Sequence, residues 1–144
     1  MSGAMDRPVG SSKPLPTMSE DARPFWEGCR RHEIRLQYCQ ECESYQFPAR
    51  ILCSHCGSRR IEWRVATGKA RVYSFSVIHR PPEPSFAADV PYVVAVVELA
   101  EGPRMMTNLV QCAPEDVRCE MSVVPVFEDV TDEVTLLKFT PASA

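Results

Sequence analysis

The sequence predicts a mainly β protein: a short N-terminal helix, a small ribbon closed around four cysteines, and a five-stranded barrel of the OB-fold kind. Three observations carry this. Two Cys-x-x-Cys hooks, Cys39/Cys42 and Cys53/Cys56, stand ten residues apart. Beyond Gly68 the chain turns into five longer apolar-rich segments punctuated by proline and glycine, the pattern of a small closed barrel. Ahead of the hooks, Phe25, Trp26 and Cys29 recur at helical spacing.

In chain order, residues 1–18 carry Pro8, Pro14 and Pro16 among glycines and serines, the composition of a disordered or extended arm. Thr17 with Glu20, or Ser19 itself, can cap a helix starting near residue 20, and Pro24 fits only its first turn. That helix runs through Arg31, too short to hold its shape without docking on something. Glu33 to Tyr38 alternates polar and apolar and reads as a strand entering the first hook. Residues Tyr45–Leu52 return to the second hook, and Ile61–Val65 leaves it, so that two hairpins each end in a knuckle. Helix and ribbon together span residues 19–66.

Hooks at this separation place four thiolates on opposite sides of one ion, a tetrahedral shell with no position left for a catalytic water. Zn²⁺ is the default occupant; iron takes the same ligand set. Disulfides fit poorly, because no apolar leader precedes the hooks and the seven cysteines are an odd number. His55 lies inside the second hook as a bystander to a complete shell. Gly57 suits the tight turn behind Cys56, whereas Glu43 occupies the equivalent place behind Cys42.

The barrel, residues 67–141, is expected from strands at Ala70–Ile78, Pro91–Leu99, Arg104–Val110, Ser122–Phe127 and Val134–Phe139. Val93–Val97 is apolar at every position, as a strand covered on both sides is. A stiff proline loop, Arg80–Pro84, follows the first strand, and Ala113–Val117 reads as a short helical turn.

Residues 1–71 hold 12 Lys/Arg against 8 Asp/Glu, and residues 72–144 hold 4 against 11. So acidic a second half disfavours a nucleic-acid binder, whose affinity rests on phosphate neutralisation. No apolar run is long enough to span a membrane, and unpaired cysteines suit a reducing compartment, the cytoplasm.

With these elements in place, the chain resembles the zinc-ribbon plus OB-fold family catalogued as domain of unknown function 35. The match lies in Pro24-Phe25-Trp26-Glu27, both Cys-x-x-Cys hooks, Phe47-Pro48-x-Arg50, Gly68-x-Ala70-x-Val72-Tyr73-Ser74-Phe75, Pro91–Ala95, Thr107-Asn108-Leu109, Val126–Asp129 and Leu136-x-x-Phe139-x-Pro141. The resemblance implies a rubredoxin-like ribbon and an accessory role beside a thiolase-like acyltransferase, aldolase or synthase, or a MaoC-like hydratase. Two positions depart from it: His32-Glu33 stands where relatives carry Glu-Gly, and Glu120 where they carry glycine.

No paired general acid, nucleophile elbow or phosphate loop is present, so no catalytic residue is assigned. The primary reading is a noncatalytic scaffold subunit of an acyl-CoA or acyl-transfer complex, its partner contacted through Phe25, Trp26 and the ribbon. A second is an acyl-CoA-binding module using Arg50, Arg60, Arg64 and Arg80 against phosphates. A third is a single-stranded nucleic-acid binder stacking bases on Tyr73, Phe75 and Tyr92.

Overall fold

The computed structural model describes residues 13–142, so most of the expected arm lies outside the described residues. Residues 13–18 carry no helix or strand, but Lys13 pairs with Asp89 and sits over the Phe86 ring. Ser19 Oγ accepts from the Ala22 N–H at 3.3 Å and organises the turn before the helix. The helix itself, α1, spans Arg23–Arg30 with Pro24 in its first turn, starting later than expected; Ala22 at its N-cap makes no side-chain cap.

The buried stripe of α1 is Phe25, Gly28 and Cys29, with Trp26 on its half-buried flank. Gly28 is there because the strand Arg35–Cys39 starts close by: a Cβ at this position would lie 2.7 Å from Arg35 Cγ. The helix ends in a Schellman arrangement, with the Glu33 N–H bonded to Gly28 O at 2.8 Å and the His32 N–H to Cys29 O at 2.9 Å. The residue that must go left-handed here is His32, at φ 60°, rather than its neighbour Glu33.

Three antiparallel strands follow in the order β2-β1-β3: β1 Arg35–Cys39, β2 Tyr45–Gln46 and β3 Ile61–Val65. The expected return strand over Tyr45–Leu52 is cut to two residues. Its remainder is a loop containing the cis Phe47–Pro48 bond, and β3 pairs with β1 across five residues instead.

The barrel closes in the order β4-β5-β6-β8-β7. Its strands are β4 Ala70–Ile78, β5 Tyr92–Leu99, β6 Arg104–Leu109, β7 Ser122–Asp129 and β8 Thr135–Pro141. Short 3-10 turns occupy Pro84–Phe86 and Pro114–Asp116. A bulge between Val72 and Ser74 turns Tyr73 outward, where the Arg104 guanidinium covers it at 3.7 Å. Phe75 pairs with buried Ala95, and Tyr92 leans on Phe86, so of the three candidate aromatics only Tyr73 is exposed. In β5, Val93, Ala95 and Val97 are buried while Val94 and Val96 are only half covered. The all-apolar run is therefore a one-sided strand, not one covered on both faces.

One continuous core joins the parts. Phe25, Cys29, Ile34 and Leu36 belong to the same buried cluster as Val72, Val97, Leu99 and Phe139. The His32 ring stacks on Phe127 at 5.0 Å with planes 9° apart, and its Nε2 lies 3.1 Å from Asp129 Oδ1. Among the described residues no helix is long and apolar enough to cross a membrane.

Candidate metal centre

The two hooks are built alike. Each first cysteine donates its N–H to a serine carbonyl beyond its hook: Cys39 to Ser44 O and Cys53 to Ser58 O, both at 2.9 Å. Each turn closes through the residue after the second cysteine, Glu43 N to Cys39 O at 2.8 Å and Gly57 N to Cys53 O at 2.9 Å. That closure needs positive φ, which Gly57 adopts at 78° without strain and Glu43 adopts at 58° with a Cβ to accommodate.

These turns point backbone donors at sulfur. Cys39 Sγ receives the Cys42 N–H at 3.5 Å, and Cys53 Sγ receives those of Cys56 at 3.4 Å and His55 at 3.3 Å. All four sulfurs lie within 4.8 Å of one another, with Cys39–Cys56 and Cys42–Cys53 both at 3.6 Å. A tetrahedral ion with bonds of about 2.3 Å needs sulfurs about 3.8 Å apart, so the pocket has the right size without rearrangement.

The electrostatics agree. The Cys56 N–H, with help from His55, draws the Cys53 thiol down to about 6, and the Cys42 N–H lowers Cys39. Cys56 goes the other way, up to about 12 despite the Ser58 N–H, because burial and its three sulfur neighbours keep it protonated. Four sulfurs this close cannot all carry charge unless a dication sits among them. His55 is exposed, with Nδ1 4.0 Å from Cys53 Sγ, outside the shell.

Sequence reasoning missed the residues that hold the second hook in place. Gln37 and Gln46 are each 5% exposed. Gln37 Oε1 accepts from the Arg50 N–H at 2.8 Å and its Nε2 donates to Arg50 O at 2.9 Å. Gln46 Oε1 accepts from the Ser54 N–H at 2.7 Å, and its Nε2 donates to Leu52 O at 3.3 Å and to Gln37 Oε1 at 2.7 Å. The alternation of β1 assigns Gln37 to the outer face; the loop after Phe47 covers that face, which no local pattern signals.

The candidate anion contacts do not form one group. Arg60 is exposed and engaged by Glu41 and Gln40, each at 3.3 Å; Arg64 pairs with Glu62 and lies 3.6 Å over the Tyr38 ring. Arg50 and Arg80 are exposed with no side-chain partner among the described residues. The nine-residue β4 carries Arg80 roughly 25 Å along the strand from the ribbon junction. Of the cysteines outside the cluster, Cys29 is fully buried and pushed up to about 12 by that burial, Cys112 is raised by burial and by Asp116, and Cys119 is exposed.

Phe25, expected as a partner contact, is 7% exposed, with its ring 5.2 Å from both Trp26 and Phe47. The helix does fold back, and Phe25 completes the core. Trp26 remains half-buried on the wall of an apolar groove of about 130 Å³ with Phe47, Pro48 and Trp63, and Ile51 beyond it is 71% exposed.

The model of the ChsH2 rubredoxin-like zinc ribbon domain matches residues 26–62, and that of the ChsH2 C-terminal OB-fold domain matches residues 63–128. A probable enoyl-CoA hydratase alpha subunit of Thermomonospora curvata is 38% identical over 130 residues, 90% of this chain; the chain spans 40% of that relative's length. A DUF35 domain-containing scaffold protein of Methanothermobacter thermautotrophicus is 35% identical over 117 residues, 81% of this chain and 87% of that one. The solved structure described as the Ltp2-ChsH2(DUF35) aldolase contains a chain matched over its full length, with 90% of this chain covered, 38% identity and a TM-score of 0.80.

Proposed function

The chain belongs to the DUF35 family of zinc-ribbon and OB-fold proteins, and from that premise we propose that it is a noncatalytic, zinc-binding accessory subunit of an acyl-CoA enzyme complex. The observation that carries the reading is the full-length likeness to the chain in the Ltp2-ChsH2 aldolase structure, joined to a four-sulfur cluster of tetrahedral size. Cys39, Cys42, Cys53 and Cys56 would hold one Zn²⁺, whose role is to fix the ribbon, since four thiolates leave it no open position. The nucleophile and the acid–base groups belong to the partner, a thiolase-like acyltransferase or aldolase or a MaoC-like hydratase. Unpaired thiols outside the cluster favour a reducing compartment, and the cytoplasm is the proposed one.

We place the partner contact on the exposed side of the helix and ribbon: Trp26, Pro48, Ile51 and Leu52, with Arg50 beside them. An apolar ridge on a rigid loop loses little entropy on docking. Direct contact with acyl-CoA is the subordinate proposal, favoured by Arg50 and Arg80 having no side-chain partner among the described residues. Residues 19–66 and 67–141 act as the two structural units, with the helix belonging to the first. The test is coexpression with a candidate thiolase-like or MaoC-like enzyme from the same organism. A stable complex whose turnover disappears on mutating the enzyme subunit, with this chain inactive alone, is the expected result. Turnover by this chain alone, abolished by Cys119→Ser or Cys112→Ser, would overturn it.

A further inference from the structure

The two hooks are equivalent in their turns but not in what anchors them. The first lies between β1 and β2, where Gln37 pairs with Gln46 and Tyr38 with Tyr45, and β3 flanks β1 on the other side as far as Cys39–Ile61. The second leaves through Ser58–Arg60 into β3, with the Gln40 N–H held by Arg60 O at 2.9 Å. Its entering arm, residues 47–52, belongs to no strand. That arm is tied down at Arg50 and Leu52, and the hook itself at Ser54, in each case by a glutamine side chain.

We propose that Gln37 and Gln46 are positioning residues of the metal centre: a side-chain clamp that replaces the missing β2 ladder, sets Cys53 and Cys56 against the ion, and makes this hook the one from which metal is lost first. The inference rests on the zinc reading above. Physically, a glutamine amide offers one acceptor and one donor in the same relative placement as a backbone peptide, so Gln37 answers both the N–H and the C=O of Arg50 as a strand neighbour does. The Gln46–Gln37 bond at 2.7 Å makes the two act together. The anchoring differs in kind as well. Each ladder bond on the first hook is one of several in a cooperative sheet, whereas removing one glutamine frees two backbone contacts of the loop at once.

The experiment uses the zinc-loaded full chain. Zinc transfer to excess EDTA is followed with time, and aliquots are pulse-alkylated and mapped by peptide mass spectrometry to score each cysteine. In the unmodified protein, Cys53 and Cys56 become alkylated before Cys39 and Cys42. In Gln46→Leu and in Gln37→Leu, zinc release accelerates by roughly tenfold or more, the scale of effect when groups that orient metal ligands are removed. Gln111→Leu serves as control: this exposed glutamine follows β6 in the barrel, outside the ribbon, and its loss leaves the release rate unchanged. Should a leucine variant fail to fold, Gln46→Glu replaces it, keeping an acceptor for Ser54 but losing both donated bonds. Simultaneous alkylation of all four cysteines, Cys39 and Cys42 reacting first, or release rates that do not move in the folded variants would overturn the clamp. Absence of zinc in the freshly purified chain would instead remove the metal reading beneath it.

Discussion

Phe25→Ala separates the two neighbouring aromatics of the helix. Phe25 is 7% exposed, its ring 5.2 Å from Trp26 and from Phe47, and it shares one cluster with Cys29, Ile34 and Leu36. Truncating a buried phenylalanine costs about 3–5 kcal/mol, the transfer term plus the cavity left behind. Collapse to fill the gap is limited, because Gly28 already holds α1 against the Arg35 side chain with no space to move inward. For a chain of this size the loss corresponds to a drop of roughly 10–15 °C in melting temperature. Trp26→Ala, on the half-buried flank, costs only about 1–2 kcal/mol and weakens partner binding instead. The assay is thermal and urea unfolding of both variants with zinc saturating, alongside copurification with the enzyme partner. A Phe25→Ala protein as stable as its parent, or a Trp26→Ala protein that melts lower than Phe25→Ala, would refute the placement of the helix.

Three further outcomes follow from named groups. On the zinc reading the cluster holds its metal as thiolates, so acidification protonates the sulfurs and releases zinc; an elemental assay after dialysis at falling pH should show loss well below neutrality, and Cys53→Ser should lose metal already at neutral pH. Glu43→Gly relieves a φ of 58° that a Cβ tolerates poorly and should raise stability by about 1 kcal/mol by urea midpoint, whereas Glu120→Gly, at φ 73°, gains less because Glu120 also pairs with Arg71 at 2.8 Å. Asp129 is held below its ordinary value of 3.8 by the Thr135 hydroxyl and then by His32. A depressed folded value means its contribution is present above 3.8 and lost as pH falls through the lower folded value, so the gap between the parent and Asp129→Asn should close on melting curves as pH falls below that range.

What the sequence reveals here depends on whether the signal is local. Ile61–Val65 and Ala70–Ile78 are strands over the expected residues, because dense β-branched and aromatic positions bounded by turn residues leave little choice. The four cysteines announce their own cluster, since two hooks ten residues apart have few other ways to close. The segment after Tyr45 misleads: its composition suits a strand, but the buried amides of Gln37 and Gln46 take the hydrogen bonds a ladder would have made, and that exchange is tertiary. The side of the helix that faces the core was equally hidden. Spacing puts Phe25 and Trp26 on one face, and only the packing of Phe47 and the ribbon against α1 decides which is buried. His32 and Glu120 carry the same lesson in backbone form: neither is glycine, and both adopt positive φ. The fold keeps the conformation even where the residue is costly.

The central claim is that this chain carries zinc and partners an acyl-CoA enzyme without performing the chemistry. Native mass spectrometry of the chain coexpressed with a candidate thiolase-like or MaoC-like enzyme from the same organism tests that in one measurement. The account predicts a complex containing the enzyme subunit and one zinc per copy of this chain, which falls apart to separate subunits when the metal is stripped. A metal-free chain that remains folded, or a zinc-loaded chain that forms no complex with the enzyme, would contradict it.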